Sequence, residues 1–392
     1  MLASVSGNRF FGVGKLFMLL VGALFALGLA GCGVRKVSKE SVFWPPEPNP
    51  PRVQFLKAVS GSKDVVKERA NFKLLSLDNE EEDAPKIIAK PYGIASSKGR
   101  IYIVDTIQNN VAIFDLVKES YEILPGSKGQ GKLKKPLNIA VASDGNVFVA
   151  DTFRKEIMMY DEAGNFIRAY GKGIEMKPVD VAVDDKSIYA LDISNNEIKV
   201  IDRQTGELSG SLGKGTAAEQ GLSLPTNLTI DRDGFLYVTN SGTGRVVKLD
   251  RDGHIVHSFG RLGDSFGEFG RPRGITVDDK GRIFVADASH QNVQIFNETG
   301  RILMFFGDPG YVYESLNLPA GVMVTTENLE YFQKLAAPDF ILEQVIVVTN
   351  QFGPVKVSFY GLGQMKDFKG YESLQKPKQK GAAGAAPAGE KK

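Results

Sequence analysis

Six stretches of this chain begin alike. KPYGIASSKGRIYIVDT carries Pro91, KPLNIAVASDGNVFVADT Pro136, KPVDVAVDDKSIYALDI Pro178, LPTNLTIDRDGFLYVTNS Pro225, RPRGITVDDKGRIFVADA Pro272 and LPAGVMV Pro319. The steps between those prolines are 45, 42, 47, 47 and 47 residues. A period of that size means one supersecondary unit stacked on copies of itself, and it constrains the fold more than any single motif. Inside each unit the period is two. In the fifth, Gly274 to Val277 reads as a first strand, Asp279-Lys280-Gly281 as a turn and Arg282 to Ala286 as a second strand. Val293 to Phe296 is a third strand, Glu298-Thr299-Gly300 another turn, and Arg301 to Phe306 a fourth.

Four short strands per unit and six unit starts predict an all-β, six-bladed β-propeller. The sixth unit departs from the pattern. Its first strand, GVMVTT, is separated from Val345 to Asn350 by ENLEYFQKLAAPDFILEQ, where Leu329, Phe332 and Ala336 fall at helical spacing and Pro338 ends the run. After VKVSFYGLG, Val355 to Gly363, no fourth strand follows. Arg52 to Val59 has the right pattern to supply it from the other end of the chain, which pins the ring shut. A second insertion precedes Pro91: Val65, Val66, Ala70, Phe72 and Leu75 fit a short amphipathic helix, and the acidic run Glu80 to Asp83 reads as a solvated loop. Both insertions belong to the sector where blade six meets blade one. Loops on a rigid scaffold commonly carry recognition, so Tyr331, Phe332 and Phe340 are the candidate partner surface.

The repeated unit resembles that of the NHL-repeat β-propellers, which runs P-x-G-I-A-V-D, then D-G-x-I-Y-V-A-D-T, then N-x-R-I-Q-x-F-D and a closing G-x-F-G. The resemblance covers roughly Arg52 to Gly363.

The two ends read differently from the repeats. Residues 1–31 carry Arg9 and Lys15, no acid, and an apolar run from Leu16 to Leu29, the layout of a signal peptide. Leu29-Ala30-Gly31-Cys32 resembles the lipobox of bacterial lipoproteins, which implies cleavage before Cys32 and a diacylglycerol and fatty acyl group on that residue. Cys32 is the only cysteine, so no intramolecular disulfide forms. Gly33 after the cysteine favours the outer membrane by the sorting rule of that family. Residues 32–51 include WPPEPNPPR and read as an extended spacer holding the propeller (52–363) off the membrane, and residues 364–392 as a disordered tail. With its lipobox, proline-rich segment and six units, the chain resembles bacterial six-bladed propeller lipoproteins.

Chemistry is sparse by comparison. Asp105, Asp151, Asp192, Asn240, Asp287 and Asn350 occupy one position in all six units, each leaving a second strand. Because two are amides, the shared requirement is a hydrogen-bond acceptor that fixes the following turn, not a charge. Three residues into each unit stand Gly93, Asn138, Asp180, Asn227, Gly274 and Gly321. Asn138, Asp180 and Asn227 are oxygen donors of the kind a hard divalent cation accepts; the neighbouring regucalcin and gluconolactonase-like propellers hold such an ion at the channel mouth with a Glu, Asn residues at strand starts and an Asp, but no equivalently placed Glu is apparent here.

Otherwise no catalytic set assembles. His254, His257 and His290 show no metal-ligand pairing, no Cys-x-x-Cys-His attaches haem, and no Gly-x-Ser-x-Gly supports acyl transfer. Without Arg9 and Lys15, the 48 basic residues fall level with the 46 acidic ones, which argues against nucleic acid as a partner. The expectation is therefore a lipid-anchored envelope scaffold that binds protein and is not an enzyme, with no cofactor beyond its lipid. A multihaem cytochrome in an electron-transfer assembly is one candidate partner. The alternative expectation is a metal-dependent lactonase.

Overall fold

In a computed structural model, residues 41–67, 84–214, 221–310, 312–368 and 370 are described. They form six antiparallel sheets arranged as the blades of a propeller. Five blades are four-stranded, each built from one repeat in sequence order, and the sixth has five strands. The proline that opens each unit begins an innermost strand: Pro91–Ser97, Pro136–Val141, Pro178–Val183, Pro225–Ile230, Pro272–Val277 and Pro319–Thr325. These six strands contact one another in cyclic order and enclose the central channel. Proline suits that place because its missing N–H and fixed φ are tolerated at the first residue of a strand.

The core lies between blades, not within them. Second strands such as Val147–Asp151 and Ile283–Asp287 are buried along their whole length, since both sheet faces are covered by neighbouring blades. One interblade core joins Tyr102, Val104 and Val111 to Ile139, Val149 and Met158; another joins Tyr237 and Val246 to Phe269, Ile283 and Phe296. Outermost strands alternate between exposed and covered side chains, as Ile302–Phe306 does.

The ring closes as expected. Val53–Val59 pairs antiparallel with Val357–Met365, from Val53 opposite Leu362 to Val59 opposite Val357. The segment expected as a free spacer does more than space. Phe43–Trp44 adds a fifth strand to blade six, and Trp44 is buried against Phe306 and Tyr360, its Nε1–H donating to Asp308 Oδ2 at 3.2 Å. An indole followed by prolines fits such an edge, where burial of a large ring offsets the missing ladder bonds.

The expected helix is present at Leu329–Gln333 and is the only α-helix among the described residues. It does not offer a partner surface. Phe332 is buried and stacks on Phe359 with centroids 5.6 Å apart, Phe340 is fully buried against Phe43 at 5.3 Å, and Tyr331 is partly buried on the same core. Aromatic residues at helical spacing here serve packing: the insertion caps blade six with its own apolar face. Val65 joins that core from the other insertion, and Lys67 pairs with Glu119. Cys32 and the segment before it, the acidic run Glu80 to Asp83 with Ala70, Phe72 and Leu75, and residues 371–392 lie outside the described residues. Among the described residues no helix is long and apolar enough to cross a membrane.

Candidate functional site

The six equivalent Asp and Asn residues define one face of the ring, here the Asx face. Asp287 accepts the backbone N–H of Ser289 at 2.9 Å and of His290 at 3.1 Å, as a turn acceptor should. It also accepts Gly270 N–H at 2.7 Å and Arg271 N–H at 2.9 Å, from the connection that enters the same blade. Asp105 and Asp151 clasp both loops in the same way, and Asn240 and Asn350 reach the entering connection through Ser223 and Asn317. Each Asp thus ties two loops together, Asp192 included, whereas the side chains of Asn240 and Asn350 hold only the entering one. The turn-acceptor role was legible in the repeats, whereas the second loop comes near only when the first strand folds back beside the second.

Just inside that face lies the channel site. In every blade the ladder between first and second strands shifts register just after the proline, between Pro136 and Asn138 in blade two for example. The structure brings Asn138, Asp180 and Asn227 together, all buried, on a cavity of about 180 Å³ along the channel. Their bonds run between adjacent blades: Asn138 Nδ2–H donates to Val179 O at 2.9 Å, and Asp180 Oδ2 accepts Leu228 N–H at 2.9 Å. Asp180 Oδ1 accepts its neighbour's N–H, from Val181, at 2.7 Å. Burial pushes the Asp180 carboxyl up to about 8 despite those bonds. Asn227 Oδ1 is buried without a partner.

Glycine fills the remaining positions for steric reasons. A Cβ on Gly93 would stand 2.6 Å from the Cα of Asn138, and one on Gly274 would stand 2.5 Å from Ala320 O. Of the three candidate cation donors, Asp180 already holds an N–H group on each carboxylate oxygen, whereas the Asn227 carbonyl oxygen is unengaged.

A different feature of the Asx face stands out, and sequence analysis overlooked it. The second residue after each Asx acceptor is Ile107, Phe153, Ser194, Gly242, Ser289 and Phe352. In three consecutive blades, six, one and two, this position holds a large apolar side chain, and all three are solvent-exposed: Phe352 by 56%, Ile107 by 62% and Phe153 by 67%. Lysines stand over the aromatic rings, Lys90 Nζ 5.2 Å from the Phe352 centroid and Lys134 Nζ 5.5 Å from that of Phe153. Beside Phe153 a groove of about 940 Å³ between blades one and two is lined by Lys86, Lys128, Lys132 and Lys134, with Glu122 as its only acidic residue among those described. Aligning the loops, not only the strands, would have revealed this arc.

The histidines make local contacts, and the donor atoms of His254, Asp250 and Asp252 lie within 4.8 Å of one another on an exposed turn, a grouping that the expectation of no metal-ligand pairing missed. His254 Nδ1 lies 3.0 Å from Asp250 Oδ2, His257 Nε2 3.1 Å from Thr299 O, and His290 sits between Asp264 and Asp287.

Comparison with known proteins follows the same lines. Residues 269–296, in the fifth blade, match the NHL repeat. A stretch of 138 residues, 33% of this chain, is 28% identical to Protein brain tumor of Drosophila melanogaster, and the match spans only 13% of that protein. Among solved structures, a gluconolactonase from Xanthomonas campestris aligns over 84% of this chain and 99% of its own at a TM-score of 0.52 and 15% identity. An auxiliary nutrient binding protein from Bacteroides ovatus aligns over 71% of this chain and 70% of its own, at a TM-score of 0.54 and 13% identity. At such identities the likeness is one of fold. The expectation that the chain is not an enzyme, drawn from the lack of an assembled catalytic set, is nevertheless not supported, because the same architecture carries a lactonase. The chain is a six-bladed β-propeller with an NHL repeat in its fifth blade.

Proposed function

We propose that this chain is a lipid-anchored protein of the cell envelope whose Asx face holds a partner protein. The observation that carries the reading is the arc of Phe352, Ile107 and Phe153, three exposed apolar side chains at one loop position in three consecutive blades. Isolated exposed apolar residues are ordinary, but a repeated register position on one face is a surface with a direction. The nearby Lys86, Lys90, Lys128, Lys132 and Lys134 give that sector a positive field, so the complementary partner is acidic with apolar anchors. The NHL repeat in the fifth blade and the likeness to Protein brain tumor support a binding role of this kind. An acidic multihaem cytochrome is the partner class to test first. The tether is the lipid on Cys32, which the L-A-G-C motif supports.

The test combines both parts. Cross-linking in intact cells should recover a partner with the wild-type chain, and Phe153→Ser with Phe352→Ser should abolish its recovery while leaving the melting temperature unchanged. Undiminished recovery by that double variant would sink the assignment of this face. Cys32→Ser should release the protein from membranes, and retention with them would remove the lipid anchor from the reading.

A further inference from the structure

At the Asx end of the channel, Arg273 is 7% exposed, yet no carboxylate among the described residues pairs with it. Its contacts are neutral. One N–H donates to Gln351 Oε1 at 2.9 Å, and the guanidinium carbon lies 5.5 Å from the ring centroid of Tyr92. Arg273 is the second residue of an inner strand in blade five and Tyr92 that of blade one, so the contact spans the position of blade six, where the equivalent residue is Ala320. The Tyr92 side chain is 8% exposed, and its hydroxyl, which no described residue hydrogen-bonds, is open to solvent. Arg271, two residues before Arg273 and itself exposed, adds a second cation whose charge acts on both Tyr92 and Arg273.

A buried cation without a counter-charge is costly, and proteins usually pair such groups. Here the backbone is built to hold the geometry. Ser241 Oγ donates to Pro272 O at 2.6 Å and Thr226 Oγ1 reaches the same carbonyl at 3.3 Å, fixing the residue before Arg273. Thr349 Oγ1 donates to Tyr92 O at 2.7 Å while accepting Gly321 N–H at 2.8 Å. Both side chains are thus placed by hydroxyls of neighbouring blades. Burial pulls the Arg273 guanidinium below its ordinary value, with Tyr92 opposing the fall and Arg271 adding to it.

We propose that the Asx-face mouth of the channel, framed by Arg273, Tyr92 and Arg271, binds a small oxyanion, a carboxylate or a phosphate. Arg273 supplies the planar pair of donors such groups accept, the Tyr92 hydroxyl supplies a further donor, and Arg271 draws the anion in. The site adjoins the apolar arc, since Gln351 precedes Phe352, but binding of a small anion there does not depend on protein docking.

Titration calorimetry and thermal unfolding with inorganic phosphate and with succinate, each against sodium chloride of equal ionic strength, test the site and separate its two classes of ligand. Wild type should bind one of them saturably and melt higher with it. Arg273→Gln should lose at least about ten-fold in affinity, or about 1.4 kcal/mol. Tyr92→Phe, which keeps the ring beneath the guanidinium, should weaken binding several-fold and serves if Arg273→Gln does not fold. No saturable binding of either anion to wild type, or affinity unchanged in both variants, overturns the proposal.

Discussion

Asp180 and Leu228 join blades three and four through a single hydrogen bond, the carboxylate Oδ2 accepting the backbone N–H at 2.9 Å. The bond places an acid in the channel wall where no cation pairs with it. Its consequences concern stability before chemistry.

Asp180 should make the protein less stable as pH rises. In the unfolded chain this carboxyl ionises near 3.8, whereas in the folded channel burial holds it protonated up to about 8. A raised folded value means that its contribution is fully present below about 4 and is lost progressively as pH climbs toward 8, at up to about 1.4 kcal/mol per pH unit. Urea unfolding of wild type and Asp180→Asn at pH 5 and pH 7.5 isolates the effect: the variant should gain relative to wild type at the higher pH.

The Asx clasp should tolerate an amide better than a methyl group. Asp287→Ala leaves four backbone N–H groups of two loops without their acceptor and should cost about 3 kcal/mol. Asp287→Asn keeps one acceptor oxygen, as Asn240 and Asn350 do in their own blades, and should cost about 1 kcal/mol. Denaturant midpoints of the two variants provide the comparison.

Extending the polar channel positions around the ring should fail. Gly274→Asn would bring a Cβ to 2.5 Å from Ala320 O and 2.7 Å from Val322 N, both backbone atoms that cannot swing aside. A loss of about 2 kcal/mol or more is expected, read as a lowered melting temperature.

Trp44 and Phe332 should behave as core residues. Trp44→Ala removes the ring that seals the edge of blade six against Phe306 and Tyr360, and Phe332→Ala empties the space over Phe359. Each should destabilise by about 3 kcal/mol or more. Limited proteolysis should show cleavage beginning in blade six in both variants, whereas the exposed Phe153→Ser should leave the digestion pattern unchanged.

Much of the architecture was legible in one dimension. The proline-to-proline period counted the blades, and the alternation within IFVADASHQNVQIF, the stretch from Ile283 to Phe296, placed two strands and the Asx turn between them. Strand pattern is readable because residues two apart share a face wherever the strand ends up. Even the closing strand at Val53–Val59 could be inferred, since the sixth unit lacked one and this stretch had the pattern to fill it.

What the period could not assign was the use of individual side chains. Phe332 and Phe340 resembled a decoration and became core, because a short helix is stable only when its apolar face finds cover. Trp44 looked like part of a spacer and became an edge strand. Asn138, Asp180 and Asn227 were placed on the channel, but the bonds that occupy Asp180 come from blade four and from its own backbone turn. Arg273 of the fifth unit and Tyr92 of the first are far apart in sequence and meet because the ring closes. The local alternation of the chain determined the strands, their number and their turns. Closure of six blades around one axis decided which charges were left buried, and which face kept its apolar residues in water, because those outcomes depend on neighbours distant in sequence.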